Sequence, residues 1–191
     1  MTIVDGAEKK GRIFVVSGPS GVGKSSIIER FLKEDRDARF SISYTTRQKR
    51  PQEKEGEDYY FVDDETFREM TEQDRFLEWE SVHDHYYGTP RKEVSEILKK
   101  GIDMILDIDV KGALKVKDKY PEACLVFIEP PSKEDLIRRL SLRGEKNLGI
   151  RMKRVEEELA KKQLFQYTIV NDILDRAYED FKSIVETARR K

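Results

Sequence analysis

Eight consecutive residues, Gly18-Pro19-Ser20-Gly21-Val22-Gly23-Lys24-Ser25, satisfy the pattern G-x-x-x-x-G-K-[ST]. Glycines at these places let backbone N–H groups turn inward around an anion, and a helix that starts at the end of the loop adds the positive end of its dipole. The pattern predicts a nucleoside triphosphate held by residues 18–26, through Ser26, with the Lys24 ammonium reaching the β- and γ-phosphates. The Ser25 hydroxyl is expected to take one position on Mg²⁺. A glycine turn that merely joined a strand to a helix would need neither the lysine nor the serine. A carboxylate for the same metal belongs at the end of a neighbouring strand, and Asp107 and Asp109 close the apolar run 104–108. Alternation puts both on one side of that strand. Asp107 is read as the ligand of the metal or of its water shell, and Asp109, further out, as facing a second substrate.

The loop alone says hydrolase or kinase, so the acceptor must be read elsewhere. Residues 43–50 (SYTTRQKR) offer hydroxyls and two arginines, Arg47 and Arg50, followed by Glu53, Tyr59 and Tyr60. Arginine forks and tyrosine hydroxyls together suit a compact phosphate dianion, although charge alone would fit a solvated basic turn. Phe76-Leu77-Glu78-Trp79 sets a carboxylate on an aromatic-flanked strand, and Tyr86-Tyr87-Gly88-Thr89-Pro90 adds further hydroxyls. A carboxylate pairs with adjacent N–H donors, which among the common bases means the Watson–Crick edge of guanine. Arg138, Arg139, Arg143, Arg151 and Arg154 bracket the polar, glycine-bearing segment 144–152, which reads as a mobile flap between two helices.

The elements that must position these groups follow from periodicity. Residues 12–17 (RIFVVS) form a short, β-branched apolar run feeding a helical pattern at 25–32. The runs 102–108 and 124–128 likewise precede helix candidates at 111–119 and 133–142. Strand followed by helix, repeated, implies a parallel sheet covered on both faces. Between them, residues 41–87 have a different texture, dense in charge and aromatics, and read as a small mixed insertion built mainly from short antiparallel strands. A strand at 168–171 and a helix at 175–190 would close the fold.

Composition bounds the answer. At 191 residues the chain suits one domain with inserted parts, and 39% charged residues beside 37% hydrophobic ones describe a polar surface around a modest core. The net charge of −1 argues against a general nucleic-acid binder. No apolar run is long enough to span a bilayer, and residues 1–10 lack a secretory pattern, so a cytoplasmic protein is expected. The single cysteine, Cys124, reads as a small buried hydrophobe. No residue pattern fixes an oligomeric state.

Taken in order, GPSGVGKS, S-x-TTR-x-x-R with Glu53 and Tyr59 behind it, FLEW, YYGTP, LDIDVKGA, IEPPS, RLSLRG and IVND resemble the guanylate kinase family over residues 11–190. The resemblance implies a P-loop NTPase-type α/β core with helices on both faces, a small mixed α+β GMP-binding insertion and a helical lid. In that reading the single domain 1–191 divides into core parts at 1–40, 91–137 and 155–191, an insertion at 41–90 and a lid at 138–154. It implies an enzyme of purine nucleotide metabolism that transfers the γ-phosphoryl group of ATP to GMP, and to dGMP, with Mg²⁺ as cofactor and neither nucleic acid nor membrane as partner. The GMP phosphate would be held by Ser43, Arg47, Arg50, Tyr59 and Tyr87. Glu78 and Thr89 would read guanine, with Gly88 lining the site and Asp109 close to the nucleotide. Arg139, Arg143 and Arg154 match lid arginines that act in catalysis with Lys24, and Asn171 matches a residue near adenine. The chain departs from the pattern at Gln52, at Lys111 and at Lys146-Asn147-Leu148-Gly149. Two other readings are a P-loop kinase with a different small acceptor, and a guanylate kinase-like scaffold that binds phosphopeptides without catalysis. The intact loop at 18–25 argues against the scaffold.

Overall fold

The computed structural model describes residues 10–82, 84–142 and 148–191, with the backbone alone at 148–151 and 154. Its main sheet is built from the apolar runs. β1 (Ile13–Ser17) lies between β7 (Asp103–Asp107) and β8 (Cys124–Glu129), with β2 (Ala38–Phe40) and β9 (Tyr167–Val170) at the edges, in the order β2-β7-β1-β8-β9. Every pairing is parallel, and the register sets Val16 beside Asp107 and Ser17 beside Phe127. Because side chains alternate, Phe14 and Val16 point to one face, where α1 (Lys24–Glu34) and α7 (Leu174–Arg189) contribute Ile27, Phe31, Tyr178 and Phe181. Ile13 and Val15 point to the other, beneath α3 (Arg91–Lys99) and α4 (Val110–Lys119), whose Val94, Leu98, Ala113 and Val116 close a second core. A sheet buried on both faces requires continuous apolar strands, which is what these runs are.

The second sheet, β4-β3-β6-β5, comprises β3 (Tyr44–Thr45), β4 (Tyr60–Phe61), β5 (Phe76–Val82) and β6 (His85–Pro90). The expectation of antiparallel strands holds for β3–β6 and β5–β6, but β3 and β4 run parallel. The loop between those two, residues 46–59, carries Arg47, Arg50 and Glu53 and returns the chain to the same end of the sheet. A helix the sequence reading did not place, α2 (Asp64–Glu72), packs Phe67 and Met70 on Phe76. Its N-cap Asp63 accepts from Thr66 N at 2.8 Å. α5 (Lys133–Leu142) matches its expected bounds, and α6 (Leu148–Leu159) turns the latter part of the segment read as a flap into helix. Residues 143–147 lie outside the described residues. No described helix is long and apolar enough to cross a membrane.

The ends of four elements are tied by one guanidinium. Arg189 donates from Nη1 and Nη2 to the two Asp35 oxygens at 2.6 and 3.0 Å and from Nε to Asp103 Oδ2 at 2.7 Å, while Asp103 Oδ1 accepts from Arg12 N at 2.7 Å. The guanidinium holds the Asp35 carboxyl below its ordinary range, so this stabilisation is present above that range and lost as pH falls through the depressed value. Arg189→Met, which strands the buried Asp103 and half-buried Asp35 carboxylates, should lower unfolding stability by about 3 kcal/mol at neutral pH. Urea titrations should show the deficit shrinking in acid, and a pH-independent deficit would exclude the ion pair as its source.

Candidate functional site

β1 delivers the chain into the 18–25 loop at the carboxyl end of the sheet, where open parallel sheets hold ligands. Gly23, the N-cap of α1, has φ 99° and ψ 21°, a left-handed conformation that L side chains rarely adopt. A Cβ there would also stand 2.4 Å from Asn171 Nδ2. α1 has neither a capping side chain nor an acidic residue in its first turn, so its first N–H groups face an incoming anion without a competitor. The crown of the loop is braced from behind. Val22 O accepts from Asn171 Nδ2 at 2.8 Å and from Arg139 Nη1 at 3.2 Å, and Arg139 Nη2 donates to Asn171 O at 2.8 Å. Lys24 Nζ donates to Gly18 O at 2.8 Å and stands 3.7 Å from Asp107 Oδ1.

These groups face a cavity of about 360 Å³ that is shared with the second sheet. From the loop it is lined by Gly18, Ser20, Gly21, Gly23, Lys24, Ser25 and Ser26, and Asp107 stands on its floor. Burial raises the Asp107 carboxyl above its ordinary range while Lys24 pulls it back. Pro19 and Val22 are buried and do not line the cavity. Among the described residues no group of three or more His, Cys, Asp or Glu could hold a metal ion. The Ser25 hydroxyl and the Asp107 carboxylate are hard oxygen donors on one wall, a set that fits Mg²⁺ bound mostly by phosphates and water.

Opposite, Ser43, Arg47, Arg50, Tyr59, Glu78, Tyr87 and Asp109 line the same space. Arg47 grips Glu53 through two bonds, Nη2 to Oε1 at 2.8 Å and Nη1 to Oε2 at 3.0 Å, and its Nε donates to Tyr87 Oη at 3.2 Å. Glu53 also accepts from Arg50 N at 2.8 Å, which shapes the loop. Burial pushes the Tyr59 phenol up to about 12, so it remains a donor at neutral pH. Glu78 is only 4% exposed and accepts from Thr89 Oγ1 at 2.5 Å. Burial raises its carboxyl to about 7, with the Asp109 charge adding to the shift and Thr89 and Lys115 opposing it. The carboxylate fits there because residue 112 is glycine: a Cβ would lie 2.6 Å from Glu78 Oε2.

The geometry revises several sequence expectations. Asp109 is not a strand residue; β7 ends at Asp107, and Asp109 is the N-cap of α4, accepting from Gly112 N at 2.8 Å. Its place in the cavity follows from the helix start rather than from strand alternation. Thr89 and Gly88 lie in β6 behind the cavity wall, where the Thr89 hydroxyl orients Glu78. Asn171 and Arg139, matched by resemblance to adenine and phosphate contacts, are engaged on Val22 O and do not line the cavity. Arg143 lies outside the described residues, and Arg154 is placed by its backbone in α6. Conversely, Glu80 and Val82 line the space beside Glu78, as strand alternation from Glu78 would have indicated. Glu53, Leu140, Val155 and Glu158 also line it; the last three carried no chemical signature in the sequence.

A family model described as guanylate kinase matches residues 10–188. The chain is 45% identical over 181 residues to a guanylate kinase of Caldanaerobacter subterraneus subsp. tengcongensis, covering 93% of this chain and 88% of that one. It is 44% identical over 185 residues to a guanylate kinase of Thermotoga maritima, covering 95% and 89%. The crystal structure of guanylate kinase from Anaplasma phagocytophilum superposes with a TM-score of 0.83 at 33% identity, covering 96% of this chain and 88% of that chain.

The Glu78 environment makes stability depend on pH. A carboxyl raised to about 7 in the fold stabilises the protein in its protonated form, fully below the ordinary carboxylate range, and that contribution is lost as pH rises through 7. Between pH 5 and pH 8 the loss is about 2 kcal/mol. Glu78→Gln should escape it, so its stability relative to the parent should rise by that amount over the interval in urea unfolding. Parallel pH profiles for the two proteins would show that Glu78 titrates normally.

Proposed function

We propose that this chain, which belongs to the guanylate kinase family and transfers the γ-phosphoryl group of ATP to GMP, holds both nucleotides in a single shared cavity with their phosphates facing each other. The enzyme is an ATP-dependent nucleoside monophosphate kinase, giving ADP and GDP. The observation that carries the site assignment is the shared cavity, lined on one wall by the 18–25 loop and Asp107 and on the other by Arg47, Tyr87 and Glu78.

The division of work follows from charge. The triphosphate lies along the loop amides and the N-terminus of α1, and Lys24 leaves Gly18 O to follow the β- and γ-phosphates. Ser25 and Asp107 would hold Mg²⁺, which when bound neutralises charge on the phosphate oxygens. The acceptor phosphate lies against Arg47, Arg50, Ser43, Tyr59 and Tyr87. Arg47 reaches it already oriented, since Glu53 and Tyr87 fix the guanidinium before any ligand arrives. The acceptor oxygen is itself an anionic nucleophile, so no general base is assigned. Ionised Glu78 accepts from the guanine N1–H and amino group, with Thr89 holding it in place. Residues 41–90 serve as the acceptor insertion and 138–154 as the lid, which with Arg139, Arg143 and Arg154 closes over the donor phosphates. In that step Arg139 exchanges Val22 O and Asn171 O for the nucleotide. Closure excludes water, which would otherwise hydrolyse ATP. The reaction is read as cytoplasmic.

Two variants test the assignments in a coupled ADP-release assay. Lys24→Ala should reduce kcat by ~10²-fold or more, because it removes a preorganised charge that strengthens in the transition state; an unchanged kcat would remove Lys24 from the reaction. Glu78→Gln should raise KM for GMP and narrow the preference for GMP and dGMP over AMP and UMP while KM for ATP stays near the parent value. Equal losses for donor and acceptor would contradict base readout by Glu78.

A further inference from the structure

The strand that carries Glu78 is an edge strand. β5 ends the order β4-β3-β6-β5, so one side of its backbone has no partner strand. The carbonyls of Leu77 and Trp79 flank Glu78, and the register of β5 on β6 is irregular between Phe76 and Glu78, so the ladder with β6 leaves this stretch less firmly set. Two ammonium groups cover these carbonyls: Lys119 Nζ donates to Leu77 O at 2.6 Å and Lys115 Nζ to Trp79 O at 2.9 Å. Lys115 also pairs with Glu80 Oε1 at 2.6 Å and stands 5.5 Å from the centre of the Trp79 ring.

The spacing is matched. Four residues along a helix advance about 6 Å and keep both side chains on one face, while two residues along a strand advance about 6.7 Å. Lys115 and Lys119, one turn apart on one face of α4, address the carbonyls of Trp79 and Leu77 respectively. The N-terminal turn of the same helix meets the other side of Glu78, where Gly112 admits the carboxylate. α4 follows the end of β7, where Asp107 stands on the donor side, with Asp109 as its N-cap, and its last two turns hold the acceptor strand, so one helix links the end of the core strand to β5. Packing of Leu77 among Val110 and Ala113 brings the surfaces together, but apolar contact does not fix register along a strand. Hydrogen bonds to individual carbonyls do.

We propose that Lys115 and Lys119 are positioning residues for acceptor recognition, a two-point clamp that sets Glu78 at a fixed offset from the phosphate-transfer end of the core. The inference rests on the reading of Glu78 as the residue that accepts from guanine. Loss of the clamp lets β5 shift along α4 and misplaces the base, and with it the acceptor phosphate, while the ATP loop on β1 and α1 is untouched.

The test is steady-state kinetics of the full chain carrying Lys115→Met and Lys119→Met together, which keeps the apolar stems and removes the donors. KM for GMP should rise about tenfold, in keeping with small displacements of a bound substrate, while KM for ATP stays within about twofold. Lys115→Arg with Lys119→Arg, which restores donors, should recover most of the loss. A change in KM for GMP below twofold, an equal rise for both nucleotides, or no recovery with arginine overturns the clamp. Glu78→Gln measured in parallel separates the two claims: if it leaves acceptor selectivity intact, the base-reading role fails and the clamp with it. If it abolishes selectivity while the methionine pair behaves as the parent, the clamp alone is refuted.

Discussion

The parallel register that places Val16 beside Asp107 sets the 18–25 loop, with Lys24, against the carboxylate of Asp107. β1 and β7 are buried on both faces, and a slip of one residue would turn their apolar sets toward the wrong layer. With the register fixed, the 18–25 loop and the carboxylate at the end of β7 emerge side by side. α1 and α4 then start from adjacent strand ends, one offering bare N–H groups and the other capped by Asp109. A difference in one residue at each helix start therefore decides which helix faces the donor phosphates and which faces the acceptor.

The charges of the site are arranged before any ligand is present. Lys24 rests on Gly18 O, Arg47 on Glu53, and Arg139 on Val22 O and Asn171 O. Holding cations against weak or shared acceptors keeps long side chains from sampling many rotamers, so less ordering remains to be done when phosphate arrives. Glu78 is the opposite case, a buried carboxylate with one hydroxyl partner and Asp109 nearby, stabilised as an anion only when N–H donors come to it. On the proposed reading, cations held ready and an anion left short of donors together would discriminate a guanine monophosphate from smaller anions and from other bases.

Much of this was legible in the chain. The central strands are short continuous apolar runs, each followed by an amphipathic helical pattern, and G-x-x-x-x-G-K-[ST] demands a particular backbone. What was not legible depends on tertiary pairing. The parallel β3–β4 pair is two residues on each side and has no period to detect. Asp109 fits strand alternation as well as a helix cap, and only the end of β7 at Asp107 decides between them. The bracing of Val22 by Asn171 joins residues 149 apart, and no local pattern encodes such a contact. Leu140, Val155 and Glu158 reach the cavity because α5 and α6 lean over it, a matter of packing.

The chain has one tryptophan, Trp79, adjacent to Glu78 on β5, 38% exposed and with the Lys115 ammonium near its ring. Indole emission responds to nearby charge and to contact with water, both of which change at this position when the strand moves or its neighbour becomes an anion. With no second indole to dilute the signal, the protein carries a single optical reporter on the strand that bears Glu78.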